Sequence, residues 1–272
     1  MKKIITLLSI FLLTITSCNK DDDNAEQTIL LKKIINIEGS NTQTGIINYN
    51  GNKISEIIYS DDQKFVYTYT GDLITKIIAY EGGTIVSTID YTYENNNLRG
   101  SVQNYTSKSN GVSTNRKLRT VYTPKSDGTI LEERFSTDPN TTIETKTANN
   151  IYTFTNGNLT KEIDTYTDFN GTINTTIKVT YIYEYDNKKN PSSTAIGLNK
   201  IEFSDTSSLN NIIKRTISSE STTDGIHFTS QPDQTRNYIL SYDANNFLKE
   251  RKYNETNSNN TPATFITQYF YE

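Results

Sequence analysis

From about residue 44 the chain repeats one short pattern, and that pattern constrains the fold more than anything else in it. A strand alternating aromatic or aliphatic residues with Thr meets a tight Asn/Gly/Asp turn, and a return strand opens on Leu or Ile. In one unit Phe65, Tyr67 and Tyr69 precede Thr70, Gly71 and Asp72, and the return runs from Leu73 to Tyr80. Strand side chains alternate with period two, so the three rings share one face while Val66, Thr68 and Thr70 take the other. Gly51, Gly71 and Gly157 supply the positive φ of a hairpin turn, which Asn and Asp beside them tolerate. Since a lone hairpin is marginal in water, neighbouring units must pair edge to edge.

Further units fall at Ile46–Tyr49 with a turn at Asn50, Gly51 and Asn52, at Ile89–Tyr93 with Asn95, Asn96 and Asn97, and at Tyr152 and Phe154 with Asn156, Gly157 and Asn158. Tyr238, Leu240 and Tyr242 lead into Asp243–Asn246, and Phe265–Tyr271 closes the chain as a strand. The pattern weakens near residues 187–235, where Asn190 and Pro191 fit a loop. Leu209–Ile217 reads as strand rather than short helix, because Ile212, Ile213, Thr216 and Ile217 are β-branched. The polar clusters Thr106–Arg116, Ser136–Asn150 and Asn254–Pro262 read as hairpin loops. The expectation is an all-β fold, an extended, twisted antiparallel sheet of successive hairpins forming a single domain over residues 28–272. Hydrophobic residues are 33% of the chain, with 19 Tyr and no Trp. Against the roughly 45–50% apolar content of globular domains that means a thin core, with Tyr rings buried and Thr, Ser, Lys and Glu exposed. Tyr67, Tyr69, Tyr91, Tyr93, Tyr152 and Phe154 are therefore expected in the packing.

The N-terminus carries a different signal. Lys2 and Lys3 precede an apolar run from Ile4 to Leu13, and small polar residues lead into Cys18, the chain's one cysteine. This is the layout of a secretory signal, too short for the ~20 apolar residues of a membrane span. Ile15, Thr16, Ser17 and Cys18 resemble the lipobox of bacterial lipoproteins. The resemblance implies a signal peptide over 1–17, cleavage before Cys18, and acylation of Cys18 with chains such as palmitate. One acyl chain anchors marginally, whereas the two or three of a lipoprotein hold durably. Residues 18–27 then form a lipidated tether too polar to order itself. Within it Lys20, Asp21, Asp22 and Asp23 resemble the acidic export signal of Bacteroidota surface lipoproteins, which implies cell-surface display. A periplasm-facing position on the outer membrane is the alternative. Loss of Lys2 and Lys3 takes the formal net charge from −4 to −6, and a net acidic chain without a basic cluster argues against nucleic acid as a partner.

The hairpin unit also resembles the YD repeats of RHS-type proteins, and more closely those of uncharacterised Bacteroidota lipoproteins; the stretch Tyr183–Pro191 is typical. The resemblance implies an extended antiparallel shape and no reaction. The chain departs from full RHS shells in its length and in keeping the Tyr-Asp pair only at Tyr185–Asp186 and Tyr242–Asp243.

Catalytic candidates fail in turn. His227 is the only histidine, so no second imidazole supports a metal or triad, and it alternates with Ile226 and Phe228 like a structural strand position. Glu132 and Glu133 are adjacent, so on a strand they face opposite ways and need other partners to form a carboxylate pair. Asp61 and Asp62 lack the ligand spacing of a calcium loop and read as a solvated turn. No phosphate-binding glycine loop precedes a helix. With Cys18 committed to lipid, no thiolate remains for catalysis or metal, and no cofactor is expected.

The leading functional reading is a non-enzymatic surface lipoprotein that binds or scaffolds a protein or glycan. The first alternative is a periplasm-facing carrier or chaperone whose sheet holds an apolar ligand, which an apolar concave face would distinguish. The second is a hydrolase, which a buried cluster of carboxylates in a pocket would revive.

Overall fold

The computed structural model describes residues 29–109, 111–169, 171–201, 203–204, 207–256 and 262–272. Its strands are β1 (Leu31–Glu38), β2 (Asn41–Asn50), β3 (Lys53–Tyr59), β4 (Gln63–Thr70), β5 (Leu73–Glu81), β6 (Thr84–Glu94), β7 (Asn97–Ser109), β8 (Val112–Pro124) and β9 (Ile130–Thr137). They continue as β10 (Glu144–Thr155), β11 (Asn158–Phe169), β12 (Asn174–Lys189), β13 (Asn210–Thr222), β14 (Thr229–Asn237), β15 (Ile239–Tyr242), β16 (Leu248–Thr256) and β17 (Pro262–Tyr271). Hairpin neighbours pair antiparallel along the chain, and β1 pairs with β17 as well as β2. The expected hairpin-built sheet is therefore present, but it curls into a ring instead of extending. Parity explains the closure. An all-antiparallel ring needs an even number of strands, and β14 and β15 are two halves of one strand broken at Tyr238, the first pairing with β13 and the second with β16. Seventeen segments thus make sixteen staves.

The turns behave as their residues require. Gly51 (φ +61°) and Gly71 (φ +56°) take the left-handed region in two-residue loops, and Asn95 with Asn96 (φ +50° and +61°) form a turn positive at both centres. Primed turns of this kind match the twist of the flanking strands, which accounts for Asn and Gly there.

All the expected loops at the far end are shorter than the sequence suggests. β7 and β8 run through most of Thr106–Arg116, and Ser136–Asn150 reduces to a turn over residues 138–143. In Asn254–Pro262 strand persists to Thr256 and resumes at Pro262. Both faces of these strand ends meet water, one outside and one in the lumen, so alternation disappears without loss of strand.

The long β12–β13 connection folds into the ring as a plug. Asn190 caps a 3-10 turn at Pro191–Thr194, and a short helix α1 follows at Leu198–Ile201. Leu198 and Ile201 pack with Leu31, Ile47, Ile54 and Ile74, while Phe203 meets Tyr122, Tyr152 and Phe154 at centroid distances of 5.3, 5.4 and 6.0 Å. A sixteen-strand ring is too wide for wall side chains to fill, so without the plug these residues would line water.

The repeat's Tyr–turn–Leu signature now has a mechanical meaning. An apolar residue at the start of the return strands, as in Ile54, Ile74, Leu98, Leu159 and Leu248, is buried as a collar around the plug. The tyrosine before the turn reaches back to the preceding strand. Tyr49, Tyr93, Tyr185 and Tyr271 donate hydroxyl hydrogen bonds to the carbonyls of Leu31 (2.9 Å), Ile74 (2.6 Å), Leu159 (2.6 Å) and Leu248 (2.7 Å). A phenylalanine would fill the same volume but leave those carbonyls without this partner.

Candidate ligand-binding lumen

Strand alternation decides what the lumen contains. Counting outward from the collar by twos, the inner rows change from apolar to polar within one or two positions. On β1, Ile34 gives way to Asn36 and Glu38; on β17, Tyr269 gives way to Thr267 and Phe265, with Thr267 donating to Asn36 Oδ1 at 3.2 Å. Beyond the plug polar residues such as Asn36, Glu38, Gln43 and Thr267 take over most of the inner face, with the stacked Tyr253 and Phe265 between them.

A cavity of about 590 Å³ lies in this polar mouth, lined by Asn36, Glu38, Gln43, Arg251, Tyr253 and Phe265 among others. Gln43 donates to Asp61 at 2.8 Å across its rim. Tyr253 and Phe265 stack at 4.9 Å and 9° interplanar angle, and the Arg236 guanidinium lies 4.3 Å from the Tyr253 ring centre while pairing with Glu255. A second cavity of about 140 Å³ lies against the plug, between Pro191, Ser192, Ile212 and Leu248. Asn36, Thr267 and Arg251 line both.

A carboxylate network occupies the wall formed by β9, β10 and β11. Glu132 is 4% exposed; it accepts from Arg134 Nε and from the Tyr152 hydroxyl at 2.9 Å, while Asn150 Nδ2 donates to that hydroxyl at 3.1 Å. Glu162 accepts from the Tyr183 hydroxyl at 2.8 Å and shares a hydrogen bond with Asp164. Burial first, then the Asp164 charge, raises the Glu162 carboxyl to about 7 against the favourable Tyr183 bond; burial also raises Asp164. The pair therefore holds a proton near neutrality. Glu132 and Glu162 are held by wall side chains and Asp164 by Glu162, which makes the network a strut from β9 to β12.

Cys18 and the run Lys20, Asp21, Asp22 and Asp23 lie outside the described residues. Glu132 and Glu133 do face opposite ways, with Glu133 accepting from Lys146 on the outer wall at 2.5 Å. Asp61 and Asp62 form a turn, Asp62 at φ +64°. His227 is a correction: it sits in the β13–β14 loop, 86% exposed, with Nδ1 2.6 Å from Asp224 Oδ2. The Asp224-Gly225 turn ends the strand before it, so local alternation is coincidental there, and the ring has an orienting partner that the sequence did not suggest. Among the described residues no three His, Cys, Asp or Glu side chains gather as metal ligands. Sequence reasoning missed Glu162, Asp164, Arg134 and Arg251. For Glu162, Asp164 and Arg251 the signal is parity, since they share a strand face with Tyr166 or Tyr253; Arg134 shares its face with Glu132, opposite Phe135.

No protein-family model and no curated protein matches the chain. Among solved structures, a porin-like protein from Bacteroides vulgatus ATCC 8482 aligns with a TM-score of 0.57 at 16% identity, over 89% of this chain and 98% of that one. A porin-like protein from Bacteroides uniformis ATCC 8492 aligns at 0.45 and 10% identity over the same shares. At such identity the first likeness is one of fold: the chain is built like a porin-like barrel.

Proposed function

We propose that the protein is an outer-membrane lipoprotein, anchored through Cys18 and displayed at the cell surface, that binds a small polar ligand in the barrel mouth without catalysing a reaction. The observation that carries this reading is the division of the lumen: the apolar half is filled by the chain's own plug, and the space left open is lined mainly by amides, hydroxyls, the carboxylates Glu38 and Asp61, an arginine and an aromatic stack, with Ile37 and Ile266 at its edge. A cavity of about 590 Å³ is within the usual ~300–1,000 Å³ of ligand sites. Its lining suits a glycan or a short peptide better than the apolar cargo of a carrier. The buried carboxylates Glu132 and Glu162, which would favour a hydrolase, accept from Arg134, Tyr152 and Tyr183 in the wall.

Anchoring through lipid, in place of a membrane-spanning wall, is supported by the outer surface. Outward residues form ion pairs such as Lys76–Asp90, Lys178–Glu220 and Lys214–Glu184. A charge on the lipid face of a barrel costs up to about 2–4 kcal/mol at mid-membrane. The porin-like fold supports only the barrel architecture, and the outer-membrane placement rests on the lipobox resemblance.

The test is a thermal-shift screen of purified protein against neutral and acidic oligosaccharides, short peptides and fatty acids. A polar ligand should raise the melting temperature, and Arg251→Ala and Tyr253→Ala should remove that shift while the variants stay folded. Stabilisation by fatty acids alone, or by a ligand indifferent to both substitutions, would overturn the reading.

A further inference from the structure

The outer wall is chemically lopsided. On β9–β13 it is crossed by the ion pairs Lys146–Glu133, Lys178–Glu220 and Lys214–Glu184. On β17, β1 and β2 the outward positions hold no acid; the acids bordering them are Glu272, just past β17 and paired with Lys32, and Glu56 and Glu250 on the flanking strands, which accept from Asn48 and Gln268. Register places Phe270 beside Lys33 and Ile266 beside Ile37, and Lys33 in turn beside Ile46. Ile35 completes the strip, in which the remaining outward residues are Thr, Gln, Asn and Pro262. Phe270 and Ile46 are 39% and 41% exposed, and Lys33 Nζ lies 4.1 Å from the Phe270 ring centre.

The chain leaves the barrel at this strip. Leu30 exchanges backbone hydrogen bonds with Glu272 at the start of β1, next to Phe270. The eleven residues 18–28 that precede the described chain reach at most about 40 Å if fully extended. A lipid on Cys18 would thus keep the barrel within a tether's length of the bilayer, with this strip beside the point of attachment.

We propose that the β17–β1–β2 wall rests on the lipid surface, its isoleucines and Phe270 entering the headgroup boundary and Lys33 meeting anionic headgroups. This rests on the lipid-anchor reading. An apolar strip flanked by a cation and an aromatic ring is the composition that partitions into the interface, where side chains sit about 5–10 Å deep. The three strands place no acid outward, and Glu272 at the end of the strip is paired with Lys32, which limits repulsion from anionic lipid.

Acylation uses the only native thiol, so a new cysteine can be labelled uniquely. Lipidated full-length mature protein carrying Ile46→Cys, Ile35→Cys or Ile182→Cys is labelled with a polarity-sensitive fluorophore. Each sample is floated with vesicles of phosphatidylcholine and phosphatidylglycerol containing brominated lipid. Labels at 46 and 35 should be quenched several-fold more than the label at 182, which lies on the ion-paired wall. Equal quenching in protein that floats would overturn the proposal, as would protection of the strip by dimerisation detected by crosslinking. Failure to float would instead refute the anchor, and agreement between labels 46 and 35 guards against a variant that misfolds.

Discussion

Replacing Glu162 with Gln should remove a pH dependence from the stability of the barrel. Glu162 is raised from 4.5 to about 7 in the folded protein, chiefly by burial. The folded state therefore binds more protons than the unfolded state between those values, so unfolding free energy falls as pH rises through that window and levels off above it. At 1.36 kcal/mol per unit the ceiling is about 3 kcal/mol, and partial exposure to lumen water reduces the expected change to about 1–2 kcal/mol. Gln keeps the size and can still accept from the Tyr183 hydroxyl, but it carries no charge beside Asp164. Urea denaturation of the unlipidated domain at pH 5 and pH 8 reads the effect. The parent should lose about 1–2 kcal/mol between the two, and Glu162→Gln should lose clearly less, matching or exceeding the parent at pH 8. Parallel pH profiles for the two proteins would refute the buried-pair argument.

Tyr93→Phe should cost about 1 kcal/mol in thermal or urea unfolding by removing the hydroxyl bond to the Ile74 carbonyl, with far-ultraviolet circular dichroism unchanged. Gly71→Val should cost about 1 kcal/mol or more from strain alone, since φ is +56° and nothing lies within 4 Å of an added Cβ. Gly197→Ala should cost more than a Gly-to-Ala change at Gly71, because at φ +84° its Cβ would also meet the Asp72 carbonyl at 2.8 Å and displace the plug; equal melting temperatures would contradict the plug's placement. His227→Ala should shift the melting temperature little and leave ligand binding intact, given an exposed ring whose contact is Asp224. Alanine at Asp21, Asp22 and Asp23 should leave acylation intact and reduce protease accessibility on intact cells, whereas unchanged accessibility would make the run a plain tether.

The hairpin chemistry was legible because it is local. Positive φ at Gly71 and ring alternation at Tyr67 and Tyr69 need only neighbours in sequence. Closure was not legible, since it depends on Leu31 meeting Tyr271 across the whole chain, and nothing local counts staves. The plug was hidden for a related reason: Leu198, Ile201 and Phe203 are sparse apolar residues in a polar loop, and their value appears only once a ring exists to receive them. The polar lumen was misread most instructively. Composition assigns glutamates such as Glu162 to an exposed face, yet Glu162, like Gln43 and Arg251, lies on the inner face of its strand. In a closed barrel the same face of a strand passes from core to water-filled mouth along its length.

The central claim is that a water-stable barrel is held at the membrane by lipid at Cys18, leaving its lumen to bind. The direct measurement is the state of the chain from Asn19 to Glu272 produced without leader or acylation and fractionated without detergent. The account predicts a folded, β-rich monomer in the soluble fraction that keeps ligand binding. Recovery only from the membrane pellet, in detergent, would show that the wall itself is embedded and would contradict it.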